Sequence, residues 1–324
     1  RNKEFPKTDR NSAIFMEEGD EIPYPIENHV YLLNSDIQKR VIKDLVEIVR
    51  KEGDKAHNFE EFLKSRFGDT LYKIYFQPYN EKVWRRDLKQ VPLSWLEGKL
   101  PMPTVEEMVY NNINHVKEKS FVHSTFWYEN MNGSQYIADK LAEELHICYD
   151  TDIKNIKYAH IKDMVKIVEG FDIREYEDEI VKLEYHGTTA VFCEIDKNPY
   201  SWIYQPSKQH ESHRIICTGN FAKSNNGNCV PEGRITATIE FTDEISKEDI
   251  IDNLSRISLH PKYLAHKYNP YTYPIQNVHT RDMIKRLKAD LFPVGFYFTG
   301  RFADWEYYNM DIAMRMAMDL CKKI

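Results

Sequence analysis

Glycine is scarce in this sequence of 324 residues, which contains only 12 of them, and no two are separated by a single residue. The Gly-x-Gly-x-x-Gly fingerprint of dinucleotide-binding folds is therefore absent. The stretch from Gly295 to Gly300 has the spacing of a phosphate-binding loop, but Arg301 stands where that loop needs lysine. A Gly-x-Ser-x-Gly motif is also missing, which argues against an α/β-hydrolase.

Cysteine is rare too: the chain has five, and none of them forms a Cys-x-x-Cys pair. This pattern predicts reduced thiols and a cytoplasmic location. No apolar run approaches the roughly 18 residues of a membrane span, and the first ten residues lack the apolar core of a signal peptide. A net charge of −7 argues against nucleic acid as the main partner. His210 and His213 have no third histidine close in sequence, and histidine pairs in loops are usually solvated, so we expect no metal site.

Aromatic residues, in contrast, are abundant at 13%, and 21 of them are tyrosines. Tyrosine combines a flat apolar ring with a hydroxyl group, which suits the recognition of sugars and nucleotides. A core that happens to be rich in tyrosine is the alternative, and composition leaves both readings open.

The first half of the chain has the apolar spacing of helices. A helical pattern begins at Ser35, which we expect to be its cap, and the pattern extends to about Phe67. Within it a second helix is expected to open on Asn58 and to stop at Gly68. A third is expected to end at Pro78, because proline interrupts a helix interior.

Near residue 180 the apolar period changes from that of helices to that of strands. Strands are predicted over 180–195, 200–205, 213–221, 233–241 and 295–300. Helices are predicted over 246–257 and 280–291, and a last one begins at Asn309. This order favours an α+β fold in which a mixed or antiparallel sheet accompanies a helical subdomain.

Aromatic residues and arginines recur together in the second half. Trp202 and Tyr204 alternate on one strand face, and Arg214 follows ten residues later on the strand that would pair with it. Tyr273 precedes a proline, and Arg301 stands in a turn that is followed by Trp305, Tyr307 and Tyr308. Tyrosine hydroxyls and arginines can hold a diphosphate without a metal, so these residues indicate an anion pocket.

The order of the motifs "IPYPIENH", "FQPYNEKVW", "WIYQPSKQHESHRIICTGNF", "YTYPIQNVHTRD" and "GRFADWEYYNMD" resembles the flavin-dependent UDP-galactopyranose mutases. The chain is similar, more distantly, to the protoporphyrinogen oxidase-like amine oxidases. The resemblance extends over roughly residues 20–320. It implies an FAD cofactor, a UDP-sugar substrate and a role in cell-surface polysaccharide (lipopolysaccharide) biosynthesis. In that family the N5 atom of the reduced flavin attacks the anomeric carbon, which converts UDP-galactopyranose to UDP-galactofuranose.

The same resemblance implies roles for particular residues. The substrate would contact Tyr24, Asn28, Trp202, Tyr204, Arg214, Tyr273 and Tyr307. The catalytic set would be Tyr204, Arg214, Tyr273, Tyr307 and Asn309. The cofactor would contact Gly300, Arg301, Tyr307, Met310 and Asp311. Two positions depart from the family pattern: Met131 occupies the place of a substrate arginine, and Ala303 the place of a glycine.

The resemblance also implies a domain division. A β-sheet substrate domain would comprise 1–33 and 178–275, a helical subdomain 34–118, and the rest of the FAD-binding domain 119–177 and 276–324. Two alternatives stay open. One is an FAD-dependent amine-oxidase-like oxidoreductase of the same fold, and the other is a non-catalytic sugar-nucleotide-binding homologue, which the missing glycine fingerprint favours. A homo-oligomeric state is left open as well.

Overall fold

A computed structural model of the protein describes residues 5–51, 56–93, 103–116, 125–146, 174–227, 230–277 and 279–323. Over these residues the chain has an α+β fold, as the sequence predicts. The helices are α1 (Ser35–Arg50), α2 (Phe59–Leu71), α3 (Gln77–Trp84), α4 (Val105–Asn114), α5 (Gln135–Ala142), α6 (Arg174–Val181), α7 (Lys247–Leu254), α8 (Thr280–Leu291) and α9 (Met310–Cys321). Within the described ranges no helix combines the length and the apolar character that crossing a membrane requires.

The strands belong to a small sheet and a large one. They are β1 (Lys7–Asp9), β2 (Ser12–Phe15), β3 (Glu21–Pro23), β4 (Thr125–Trp127), β5 (Glu184–Asp196), β6 (Trp202–Tyr204), β7 (Arg214–Ile216), β8 (Arg234–Thr242) and β9 (Lys262–Ile275). The small sheet pairs β1 with β4, and the large one has the order β3-β2-β6-β7-β8-β5-β9. β2 and β6 run parallel, whereas the pairs β2–β3, β6–β7, β7–β8 and β8–β5 are antiparallel. The sheet is therefore mixed, as expected.

Alternate residues of the large sheet build its core. Ile203, Ile215 and Ile239 are fully buried on one face, where they pack with Ile250 and Leu254 of α7. Side chains alternate between the two faces of a strand. The neighbours of these isoleucines consequently lie on the other face.

The residue that caps helix α1 lies one position before the one that the sequence predicted. Its cap is Asn34, whose Oδ1 accepts a hydrogen bond from the Ile37 amide at 3.0 Å, so the prediction of a Ser35 cap is wrong. Both residue types cap helices well, and the register of the first turn decides between them. The next helix does open on Asn58, whose Oδ1 accepts from the Glu61 amide.

The helical path from α2 to α3 agrees with the prediction at Gly68 and differs from it at Pro78. Gly68 has φ +83° and ψ 164°, so the first helical segment stops there as predicted, and a second short segment continues α2 to Leu71. A π-helical turn, Tyr72–Phe76, then leads into α3, so Pro78 lies at the start of that helix and does not end a helix. Proline is tolerated in a first turn because its missing N–H has no partner to lose there.

The chain divides into two compact units, unit 1 with residues 1–145 and 188–269, and unit 2 with residues 146–187 and 270–324. Unit 2 has its own core, in which Tyr176, Ile180, Leu287 and Trp305 are buried. The division of the sequence into three domains stays a prediction, and much of 119–177 lies outside the described residues.

Two strand predictions fail locally in unit 2. Residues 296–299 are irregular, because Phe296 and Phe298 pack against the buried core cluster and no strand of the described residues pairs with them. The segment from Ile180 onward begins as the end of α6, and the strand starts only at Glu184.

Candidate functional site

The face of the large sheet opposite the apolar core carries the predicted aromatic and basic residues of unit 1. In the antiparallel β6–β7 pair Tyr204 lies directly opposite Arg214, and in the β7–β8 pair Arg214 lies opposite Glu240. Trp202 is two residues from Tyr204 and is paired with Ser12 of β2. Directly paired residues share a face, so these five side chains project from the same side of the sheet. We call this side the polar face.

Aromatic rings enclose Tyr204 on the polar face. The ring of Tyr24 lies 4.9 Å from it, and Tyr79 of α3 meets it edge-on at 5.5 Å. Trp202 lies 5.0 Å from both Phe126 and Phe221. The three predicted substrate residues Tyr24, Trp202 and Tyr204 are thus brought together, and Tyr79 is an addition that α3 supplies.

Arg214 is held by a carboxylate. Its Nε and Nη2 lie 2.7 and 2.5 Å from the same Glu240 oxygen, and the Glu240 side chain is only 15% exposed. Burial alone would raise the pKa of Glu240, but Arg214 and a hydrogen bond from His213 outweigh it and lower the pKa to about 2. Burial in turn lowers the pKa of His213. Glu240 is therefore ionised at neutral pH, and the pair it forms with Arg214 has no net charge.

Lys82 of α3 braces the loop that joins β6 and β7. Its Nζ donates to the carbonyl oxygens of Gln205 at 2.9 Å and Ser212 at 2.8 Å, the two ends of that loop. Burial, with the neighbouring Arg85 charge, lowers its pKa to about 7. Sequence reasoning did not select Lys82, although its spacing of three residues from Tyr79 places both on one side of a helix.

A second arginine of the polar face was also missed. Arg10 precedes β2 and donates from Nη2 to the hydroxyl of Tyr204. It lies in a short, charged N-terminal stretch without a recognisable pattern, so the sequence contained no signal for it.

Asn28, the other predicted residue of the uridine side, has a partner in α4. It is buried, and its Oδ1 accepts a hydrogen bond from Asn111 of α4 at 3.2 Å. Its predicted role at the uridine stays a prediction.

His210 and His213 were considered as metal ligands in the sequence. Among the described residues, no group of three or more His, Cys, Asp or Glu side chains could hold a metal ion.

The predicted residues of unit 2 form a separate cluster around Arg301. Its guanidinium donates to the carbonyl oxygens of Thr272 at 2.9 Å and Tyr308 at 2.7 Å, and it lies 4.8 Å from the centre of the Tyr307 ring. That ring stacks on Tyr273 with 5.2 Å between centroids. No described carboxylate pairs with Arg301. The cluster therefore carries an uncompensated positive charge beside two stacked phenol rings.

Helix α9 begins next to this turn. Asn309 is its N-cap residue, and the Asn309 side chain makes no capping hydrogen bond. The first amides of the helix, including those of Met310 and Asp311, have no carbonyl partner within the helix. Gly300 has φ +116°, and a Cβ there would meet nothing within 4 Å, so the turn has open space at this position.

Tyr204 and Arg214 belong to unit 1, whereas Tyr273, Tyr307 and Asn309 belong to unit 2. The structure brings together the members of each group. The expectation that the two groups converge on one pocket stays a prediction.

The fold and the polar face define an α+β protein whose sheet has one apolar side and one side of aromatic and charged residues. No family model matches the chain. Among solved structures, the fold is similar to that of a reduced UDP-galactopyranose mutase, with a TM-score of 0.79, 19% sequence identity, and coverage of 94% of this chain and 74% of that one. It is also similar to a protein named "Putative protoporphyrinogen oxidase" from Exiguobacterium sp. 255-15, with a TM-score of 0.62, 10% identity, and coverage of 98% and 82%.

Proposed function

We propose that the protein is a flavin-dependent enzyme that acts on a nucleotide sugar, with isomerisation of UDP-galactopyranose to UDP-galactofuranose as the reaction. The observation that carries this proposal is the cross-strand pair of Tyr204 and Arg214, which stands with Trp202 and Tyr24 on the polar face. The similarity in fold to a UDP-galactopyranose mutase supports it.

The polar face offers the contacts that such a ligand needs. The rings of Tyr24 and Trp202 present flat surfaces to a base or a sugar, and such ring contacts are worth about 0.5–1.5 kcal/mol each beyond the area they bury. The Tyr204 hydroxyl and the arginines offer hydrogen-bond donors to phosphate oxygens. Lys82 keeps the β6–β7 loop in place, and a fixed loop lowers the entropy that binding has to overcome.

The residues around Arg301 fit the ring of an FAD cofactor. Arg301 brings a positive charge without a described counter-charge, the start of α9 presents free amides, and Gly300 leaves open space for a flat group. Gly300, Arg301, Tyr307, Met310 and Asp311 would therefore contact it. When bound and reduced, a flavin supplies a nucleophilic ring nitrogen. The chain's own contribution is to hold the ring, stabilise negative charge on it and position the sugar.

The test is a pair of measurements on the purified protein. UDP binding is measured by calorimetry for the parent chain, Arg214→Lys and Arg214→Ala, and UDP-galactose conversion is followed by chromatography with added, reduced FAD. We expect UDP binding to be weakened about ten- to hundredfold in Arg214→Ala, because the Glu240 carboxylate then faces the ligand without its partner, and to be weakened less in Arg214→Lys, which keeps the charge but loses the planar fork. A parent protein that does not bind UDP would contradict the proposal.

An FAD-dependent oxidoreductase of the amine-oxidase type is the second candidate, and the fold similarity to the protein from Exiguobacterium favours it. An amine substrate needs no diphosphate contacts, so UDP would then bind weakly while the flavin spectrum bleaches on addition of an amine. A non-catalytic sugar-nucleotide-binding protein is the third candidate, favoured by the absent glycine fingerprint. It would bind UDP without taking up FAD.

A further inference from the structure

The positive charges of the polar face differ in how they are balanced. Arg214 makes two contacts of 2.7 and 2.5 Å to Glu240, a half-buried residue of the next strand. An anion that approaches Arg214 therefore meets a carboxylate at the same place. Like charges repel strongly where water is scarce. Arg214 alone is thus a poor source of affinity for a diphosphate.

Arg10 is balanced differently. Its Nε donates to Ser12 Oγ at 2.9 Å, and its Nη2 donates to the Tyr204 hydroxyl. The guanidinium carbon lies 5.3 Å from the centre of the Trp202 ring and 5.8 Å from that of Tyr24. All four partners are neutral, and no carboxylate in the described part of the chain forms an ion pair with Arg10. Arg10 therefore brings a net positive charge to the polar face.

The contacts of Arg10 also fix its position. Two hydrogen bonds and two ring faces hold a half-buried side chain that would otherwise sample many rotamers. A guanidinium has five N–H groups, and these two bonds use two of them. The remaining donors can form the paired contacts that phosphate oxygens favour.

We propose that Arg10 is the arginine that binds the phosphate groups of the nucleotide ligand on the polar face, with Arg214 held by Glu240 in a supporting position beside Tyr204. The inference rests on the proposed function, because it takes the ligand to be a nucleotide diphosphate. It adds a specificity-determining residue to that site. Arg10 selects for the charged diphosphate, and the rings of Tyr24 and Trp202 select for the flat parts of the ligand.

The test is calorimetric titration of the full chain with two probes, UDP and uridine, which lacks the phosphates. The variants are Arg10→Ala and Arg10→Lys, with Arg40→Ala on the exposed side of α1 as the control for loss of one surface arginine. We expect Arg10→Ala to weaken UDP binding about ten- to hundredfold and uridine binding less than about twofold. Arg10→Lys should recover part of the UDP affinity, and Arg40→Ala should bind both probes as the parent does.

Two results would overturn the inference while leaving the proposed function in place. One is unchanged UDP affinity in Arg10→Ala. The other is an equal loss for UDP and uridine, which would show that Arg10 only supports the rings. A parent chain that binds neither probe would instead contradict the proposed function, and the inference with it. Melting curves of all variants establish that each is folded at the temperature of the titration.

Discussion

The Arg214–Glu240 pair gives the sharpest test of the electrostatics on the polar face. We consider Glu240→Gln, which keeps the size of the side chain and removes its charge. Removal of one partner from a buried ion pair costs about 3–5 kcal/mol. Gln still accepts one hydrogen bond, and the Arg214 side chain is 22% exposed. We therefore expect a loss near the lower end, about 3 kcal/mol of unfolding free energy at pH 7.

The matched control is Glu211→Gln. Glu211 also pairs with an arginine, Arg85, at 2.8 Å, but its side chain is 54% exposed. Exposed ion pairs contribute at most about 1 kcal/mol. The same chemical change should thus have a much smaller effect at position 211. Urea denaturation followed by tryptophan fluorescence measures both variants.

The pH dependence supplies a second, independent readout. The pKa of Glu240 lies at about 2 in the folded protein, below its ordinary value of 4.5, since Arg214 and His213 outweigh the effect of burial. A lowered carboxyl pKa contributes stability that is fully present above the ordinary value and is lost as the pH falls towards the folded value. The difference between the parent and Glu240→Gln should be constant above pH 5 and shrink between about pH 4.5 and 2. A loss under about 0.5 kcal/mol at pH 7, or a difference that does not change with pH, would show that Glu240 is not part of a stabilising ion pair.

Four further substitutions test the fold of the chain. Asn34→Ala should lower the free energy of unfolding by about 1 kcal/mol, because it removes the cap of α1. Ser35→Ala should change it by less than about 0.5 kcal/mol. Equal effects of the two variants in urea denaturation would contradict the assignment of Asn34 as the cap. Gly219→Ala should cost about 1–3 kcal/mol, because its Cβ would lie 2.9 Å from the backbone nitrogen of the next strand; an unchanged melting temperature would show that the segment has room. Lys82→Met should cost about 1–3 kcal/mol by leaving two carbonyl oxygens without their donor. The stability lost in Lys82→Met should grow from pH 7 to pH 9. The pKa of Lys82 is about 7 in the folded protein, so the unfolded parent binds more protons over that range and the parent becomes more stable as the pH rises. A loss that does not change with pH would contradict the lowered pKa.

The sequence predicts the strand face well because its signal is local. Alternation of apolar and polar residues decides which side of β6 and β7 is buried, and the nine residues between Tyr204 and Arg214 suffice for the loop of a hairpin. The pairing register observed for these two residues follows from that spacing. The helices over 280–291 and from Asn309 were predicted for the same reason, since their periodicity is strong and uninterrupted.

What the sequence did not reveal depends on contacts between distant segments. Glu240 lies 26 residues beyond Arg214, and only the β7–β8 register places it opposite. Arg10 reaches Tyr204 across 194 residues. Pro78 was misjudged because the preceding π-helical turn, which moves the start of α3, has no sequence signature.

The proposed ligand of the polar face is a nucleotide diphosphate. Photolabelling with 5-azido-UDP, followed by mass spectrometry of the digested protein, locates the bound ligand in solution. We expect the label on peptides that contain Tyr24 or Trp202, and we expect excess UDP to prevent the labelling. Label that is confined to other parts of the chain, or that UDP does not displace, would contradict this proposal.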